Sequence, residues 1–235
     1  ALDPDDFPAI DDDLTDSMKI DSEALLNLVN STSFSMGYQD ARHFLNGLFI
    51  EFSKNTITAV ATDGHRLAYS TRSCELASSE KTCIVPRKCI NEIKRILSSF
   101  NDISDILTEV SVSSKNIMFD IHGYKLISKL IEGNYPDYNK VFPNSLPNNL
   151  KVDRLILKSA LQRLSILSSE QFKGVKFKLT KALLNLSTIN SQQESGDESI
   201  ECDYGGEDLE IGFNLSYLLE TLDVIKTQYI AIRLG

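Results

Sequence analysis

An aspartate and a histidine stand two residues apart in Ala61-Thr62-Asp63-Gly64-His65-Arg66-Leu67. A carboxylate that close can orient an imidazole for general-base work. Asp-Gly is also a strong hairpin signal, and two strands meeting there explain the pair more cheaply. No G-x-S-x-G elbow, phosphate-cradling glycine loop or H-E-x-x-H accompanies it. Another grouping is the cations Arg87, Lys88, Lys94 and Arg95. At helical spacing they share an arc of about 120° with Asn91, while Cys89, Ile90, Ile93, Ile96 and Leu97 fill another. Such a helix packs one face on a sheet and presents four cations outward. That face is either merely solvated or a surface for phosphates that positions a duplex without reading bases. The cysteines Cys74, Cys83, Cys89 and Cys202 are scattered, and His43, His65 and His122 are too few to complete a zinc site. Reduced, partly buried thiols are expected, with no metal, no cofactor and no catalytic residue.

The elements that must carry these groups follow from periodicity. Asp21-Ser22-Glu23 caps a helix with apolar residues at Ala24, Leu25, Leu26, Leu28 and Val29. After Gly47 the period changes to strands at 48–52, 56–60 and 66–69, then 82–85, and Pro86 opens the basic helix through about Leu97. Strand runs follow at 106–112, 116–121 and 124–131, then a Pro/Asn-rich connection. The order then repeats: a helix at 155–167, strands at 175–179 and 183–189, a polar loop at 191–197, strands near 200–204 and 209–211, and a helix at 214–225. Gly47 lies 40 residues before Arg87, and Gly174 lies 40 before Asn214. The expected fold is α+β, two repeated modules of two helices on antiparallel sheets. The later module is incomplete by this pattern, with one strand run after its last helix where the earlier module has three.

A chain of 235 residues, 42 % hydrophobic, has room for two domains with their own cores. No run is long enough for a membrane span and no signal-peptide layout opens the chain, so it reads as cytoplasmic. The net charge of −9 argues against gripping nucleic acid with the whole surface. Seven aspartates fall in the first sixteen residues, leaving about −2 elsewhere. Residues 1–20 are expected to form an acidic, extended or disordered lead segment. The other helices are less basic: 155–167 offers Lys158 and Arg163, 214–225 exposes Glu220 and Asp223, and the first exposes Glu23. That pattern suits loose, sliding contact.

Phe34-Ser35-Met36, Gln39-Asp40-Ala41-Arg42, Leu45-Asn46-Gly47, the run Ala61 to Ala68, Ile84-Val85-Pro86-Arg87-Lys88 and Asn134-Tyr135-Pro136-Asp137-Tyr138 resemble the middle domain of the bacterial DNA sliding clamp, the beta subunit of the replicative polymerase. Ser169-Glu170, Phe172 to Val175 and Ile211-Gly212-Phe213-Asn214 with Tyr217-Leu218 resemble its third domain. The resemblance covers nearly the whole chain and implies a middle domain at 21–138 and an incomplete C-terminal domain at 139–235.

It further implies a non-enzymatic processivity factor: a homodimeric ring encircling duplex DNA without sequence preference, with no membrane partner. Arg87, Lys88, Lys94 and Arg95 would face the hole, with Lys158 and Arg163 a weaker additional face, and Gln39, Arg42 and His43 would approach tilted DNA. Short Gln-Leu-x-Leu-Phe-like motifs of replicative and translesion polymerases, the clamp loader and mismatch-repair proteins would bind in a pocket between the second and third domains. The matching positions are Leu45, Thr62, Gly64, His65, Arg66, Leu67, Pro136 and Val141, with Lys140 where the family usually has arginine. Lysine keeps the charge and loses bidentate bonding. The family's first domain and its terminal strands and tail are not in the sequence, so a fragment is expected, one unable to close a ring alone and weaker toward peptides. Two other readings stay open: a hydrolase or transferase centred on Asp63 and His65, and an adhesion-like β module whose basic helix faces a partner or solvent.

Overall fold

Asp21 ends one element and starts the next. It closes strand β1 (Asp16–Asp21), and its carboxylate accepts the Ala24 N–H at 2.8 Å to cap helix α1 (Ser22–Asn30). The computed structural model describes residues 16–76, 80–168 and 173–235. It divides into two units, Ala1–Pro136 and Asp137–Gly235.

In the first unit, β2 (Gly47–Ser53), β3 (Thr56–Thr62), β4 (Leu67–Ser73) and β6 (Lys81–Pro86) form an antiparallel sheet in the order β4-β3-β2-β6. Another antiparallel sheet has the order β5-β1-β7-β8-β9, with β5 at Glu75–Leu76, β7 at Leu107–Val112, β8 at Asn116–Ile121 and β9 at Tyr124–Lys129. The Ile131 N–H, just past β9, donates to the Ile84 carbonyl of β6 at 2.9 Å and ties the two margins together. Helix α2 (Arg87–Ser99) packs beside α1. It buries Cys89, Ile90, Ile93, Ile96 and Leu97, the arc its sequence spacing marks as apolar. Full burial of Ile90 and Ile93 contributes about 1.5–3 kcal/mol each.

The second unit has a sheet in the order β13-β12-β11-β14, from β11 (Gly174–Thr180), β12 (Leu183–Ile189), β13 (Ser195–Glu201) and β14 (Leu209–Asn214). A two-stranded ribbon pairs β10 (Asn148–Asp153) with β15 (Tyr229–Leu234). Helices α3 (Arg154–Ser165) and α4 (Leu215–Val224) pack together over a core containing Leu157, Leu161, Phe177, Leu186 and Leu215.

The glycine spacing has a structural meaning. Gly47 opens β2 and sits opposite Pro86, the N-cap of α2; Gly174 opens β11 and sits opposite Asn214, the N-cap of α4. The two are not equally constrained. A Cβ on Gly47 would lie 2.7 Å from the Val85 carbonyl oxygen, whereas one on Gly174 meets nothing within 4 Å.

Several expectations need correction. Residues 16–20 belong to β1, inside a sheet, and not to an extended lead segment; the preceding residues lie outside those described. The polar loop at 191–197 is shorter, because Ser195 to Glu201 form β13 in full register with β12. Strand β10, at Asn148–Asp153, follows the expected connection and is not among the expected strands. The hairpin at Asp63-Gly64 has four loop residues, since Thr62 pairs with Leu67. No helix among the described residues is long and apolar enough to cross a membrane.

Candidate functional site

The turn between β3 and β4 is built by its aspartate. Asp63 Oδ1 accepts the backbone N–H groups of His65 and Arg66 at 2.9 and 3.1 Å, and Oδ2 accepts Arg66 Nε at 3.1 Å. Thr62 closes the other side: its hydroxyl donates to the Arg66 carbonyl at 2.6 Å and accepts the Gly64 N–H at 3.0 Å. Gly64 holds φ +90°, a left-handed conformation that favours glycine. Arg66 is fixed further by donation to the Phe34 carbonyl at 3.0 Å and by its position over the Phe34 ring, 5.4 Å from the centroid. The result is a stiff turn that leaves His65 exposed and Leu67 half-buried. Asp63 thus serves the backbone of His65 and the side chain of Arg66, a fold-supporting role.

A similarly stiff segment runs beside it. The Gly37 N–H donates to the Leu45 carbonyl at 2.8 Å, and Asp40 and Asn46 exchange two hydrogen bonds, at 2.9 and 2.8 Å. Asp40 chelates Arg42 through Nε at 3.0 Å and Nη2 at 2.8 Å, and also accepts the Arg42 N–H at 2.8 Å. These bonds hold the Asp40 carboxyl down at about 2. Gln39, Arg42 and His43 are exposed on this loop, as is Tyr38, while Leu45 is only 1 % exposed. Leu45 therefore packs beneath the loop and is not an open groove wall. Pro136 is exposed; the preceding Tyr135 stacks on Phe49 at 4.8 Å and donates to the Val60 carbonyl at 3.4 Å, with burial pushing its hydroxyl up to about 12.

The four cations of α2 do not all face outward, which corrects the helical-wheel expectation. Arg87 is half-buried and donates to the carbonyls of Met36 and Gly37 at 2.6 and 2.9 Å; its Nε is buried without a hydrogen-bond partner among the described residues. Lys94 reaches Ser33 Oγ at 3.4 Å. Burial lowers both pKa values, and Arg87 adds repulsion at Lys94. Lys88 and Arg95 are exposed, and Arg95 pairs with Glu92 at 3.0 Å. A helical wheel places residues by angle but ignores the 33–37 segment that covers one edge of the arc.

In the second unit two of the three cations of α3 are neutralised, while the third, Arg154, donates to the carbonyls of Thr227 and Leu222 at 2.9 and 3.3 Å. Lys158 pairs with Asp223 of α4 at 2.6 Å, and Arg163 makes a bidentate pair with Glu198 of β13 at 2.6 and 2.8 Å. Glu198 and Asp223 are the residues the sequence reading missed as partners, because neither pair is local in sequence. Lys140 and Val141 are exposed in a single helical turn at Tyr138–Val141, with Lys140 3.4 Å from Asp137. No group of three or more metal-ligating side chains occurs among the described residues. Ser169, Glu170 and Phe172, part of the third-domain resemblance, lie outside them.

Comparison with known proteins accounts for both units. Residues 19–137 match the family model of the DNA polymerase III beta subunit central domain, and residues 139–235 match that of its C-terminal domain. The beta sliding clamp of Salmonella typhimurium is 36 % identical over 230 residues, covering 97 % of this chain and 62 % of that protein. That of Pseudomonas putida is 36 % identical over 239 aligned positions, covering 100 % and 64 %. The crystal structure of the Pseudomonas aeruginosa sliding clamp with ligand superposes with a TM-score of 0.93 at 35 % identity, covering all of this chain and 63 % of that one. The C. crescentus beta sliding clamp gives 0.90 at 31 % identity with the same coverage. The chain thus spans less than two thirds of the length of these relatives. Its two units have the sliding-clamp fold, and the chain belongs to the family of the bacterial DNA polymerase III beta subunit.

Proposed function

We propose that this chain serves as part of a cytoplasmic, non-enzymatic DNA polymerase processivity factor, a homodimeric clamp that surrounds duplex DNA without reading sequence and captures partners by short peptide motifs. The partners are replicative and translesion polymerases, the clamp loader and mismatch-repair proteins, and no cofactor takes part. The observation that carries the reading is the preorganised turn Thr62–Leu67. Its backbone is held by Asp63 and Thr62, so an incoming peptide meets a fixed turn and an apolar residue, Leu67, without first having to order them. Thr62, Gly64, His65, Arg66, Leu67 and Pro136 are proposed to contact the motif, with Leu45 as support beneath and Lys140 and Val141 carried over by the same resemblance. The turn's aspartate argues against a hydrolase here, because its oxygens serve two backbone N–H groups and Arg66 Nε.

For DNA, Lys88 is the best placed contact of the helices, with Arg95 beside it and Gln39, Arg42 and His43 on the neighbouring loop. Arg87 and Lys94 contribute charge from half-buried positions. Lys158 and Arg163 contribute little while their carboxylate partners remain ionised.

Fluorescence anisotropy with a labelled Gln-Leu-Ser-Leu-Phe peptide tests the proposal. Saturable binding is expected, weakened about tenfold by Leu67→Ala or Arg66→Ala, a loss on the order of 1.4 kcal/mol. Binding that survives both substitutions unchanged would remove the turn from the site.

A further inference from the structure

Arg42 stands between two surfaces that the proposed function treats separately. Its Nη2 donates to the Asp63 carbonyl at 3.3 Å, so a residue of the exposed loop holds the backbone of the peptide turn. The same guanidinium turns its Nη edge toward Gly64: a Cβ at that position would be 2.9 Å from Nη2 and 3.0 Å from Nη1. Asp40 fixes the guanidinium from the other side by two side-chain bonds, at 2.8 and 3.0 Å. Yet the Arg42 side chain is 53 % exposed, so an anion can approach it from solvent.

We propose that Arg42 is a positioning residue shared by the two surfaces: bound to Asp40 and Asp63 it braces the peptide turn, and drawn onto a DNA phosphate it releases that turn. The inference rests on the proposed reading of the turn as the peptide site and of the loop as DNA-facing. The physical basis is competition for one planar fork of donors. Asp40 takes the Nε/Nη2 edge, and the Nη1/Nη2 edge faces Gly64 with Nη2 donating to the Asp63 carbonyl, so a phosphate is gripped bidentately only when one of these edges is released. Linkage then makes the effect mutual: duplex DNA weakens peptide binding by the factor by which peptide weakens duplex binding. Arg42→Lys keeps the charge but supplies a single point donor, so it separates attraction for phosphate from the bracing geometry.

The test measures the affinity of the labelled Gln-Leu-Ser-Leu-Phe peptide for the full chain, with and without a saturating short blunt DNA duplex at low salt. In the unsubstituted protein the duplex should weaken peptide binding about threefold. Arg42→Ala and Arg42→Lys should each weaken peptide binding about threefold without duplex, and the duplex should then have no further effect. Asp40→Asn, which loosens the brace but leaves Arg42 in place, should enlarge the duplex effect. A purely structural role for Arg42 moves the peptide affinity but not its dependence on duplex. If the peptide binds and the duplex effect is absent, or is identical in all four proteins, the coupling is wrong and the peptide site stands. If the peptide does not bind the unsubstituted chain, the coupling and the reading beneath it fall together.

Discussion

Helix α2 of the first unit and helix α3 of the second occur at different stages of the same repeated architecture, and they handle the positive charge beyond their first residue differently. On α2, Arg87 and Lys94 are held by neutral oxygens, two carbonyls and a serine hydroxyl, so their charges remain uncompensated. On α3, Lys158 and Arg163 are held by carboxylates, so these two charges are cancelled locally, and only Arg154 at the helix start is held by carbonyls. The helix starts differ in the same sense. Asp153 caps α3 by accepting the Leu155 and Ile156 N–H groups at 2.9 and 3.1 Å, whereas the N-cap of α2 is Pro86, which offers no side-chain cap. The positive end of the α2 dipole therefore adds to Arg87 and Lys88 instead of being offset by an aspartate. A net charge of −9 thus coexists with one helix that keeps most of its positive charge and one where carboxylates cancel two of three cations. Overall charge is a poor guide to a surface; the identity of each cation's partner is a better one.

The largest expected effect contrasts Arg87 with Arg163. Removing Arg87 strips the Met36 and Gly37 carbonyls of a charged donor in a half-buried setting, a loss of about 1.5–3 kcal/mol. The Arg163 side chain is 57 % exposed and its ion pair is screened by solvent, so Arg163→Ala should cost much less. Urea unfolding followed by circular dichroism measures both. Equal losses would mean that the carbonyl contacts of Arg87 carry no special weight.

The next effect is a gain. Glu198→Gln and Asp223→Asn should unmask Arg163 and Lys158 and strengthen duplex binding. Each cation that newly meets a phosphate should steepen the dependence of log affinity on log salt by about 0.9. Lys88→Ala should flatten it by a similar amount. Titration of a fluorescent duplex at several salt concentrations reads the slopes directly. Slopes unchanged in the two carboxylate variants would show that the second unit's helix does not meet DNA, whatever its charge.

How much of this was legible in the sequence depends on the range of the interaction. The apolar arc of α2 was fully legible, because burial of Cys89, Ile90, Ile93, Ile96 and Leu97 follows from a period set within the helix itself. The capping of α1 by Asp21 was legible for the same reason. Strand β13 was not, because Ser195-Gly196-Asp197-Glu198-Ser199 lies at a sheet edge and shows no apolar alternation; its register comes from β12. Strand β1 was hidden by the acidic run that leads into it, and its partners β5 and β7 lie far along the chain. The turn residues were found through the resemblance, but the brace on them was not. Arg42 to Asp63 spans 21 positions and Arg163 to Glu198 spans 35, beyond any local pattern. Motif spacing located the turn; only coordinates reveal which groups hold it and which cations are still available.

A local readout of the same Arg87 loss sharpens the contrast between the units by using their own thiols. Cys83 and Cys89 are buried in the first unit, and burial pushes their thiols up to about 12 and about 11. Cys202 in the second unit is half-buried and raised only by partial burial and the charge of Asp203. For the first pair the sign follows from linkage. The folded pKa lies above the unfolded one, so the contribution to stability is complete below the ordinary thiol range, near 9.0, and is lost as pH rises toward 11 and 12. At pH 8 a thiol reagent should therefore reach Cys202 in the native protein, while Cys83 and Cys89 react only when the first unit opens. Arg87→Ala should speed that reaction by roughly 10- to 100-fold, the population change that corresponds to its loss of stability, and should leave the Cys202 rate unchanged. If Cys202 accelerates equally, the substitution has loosened both units together, and the carbonyl-bound arginine does not act within the first unit alone.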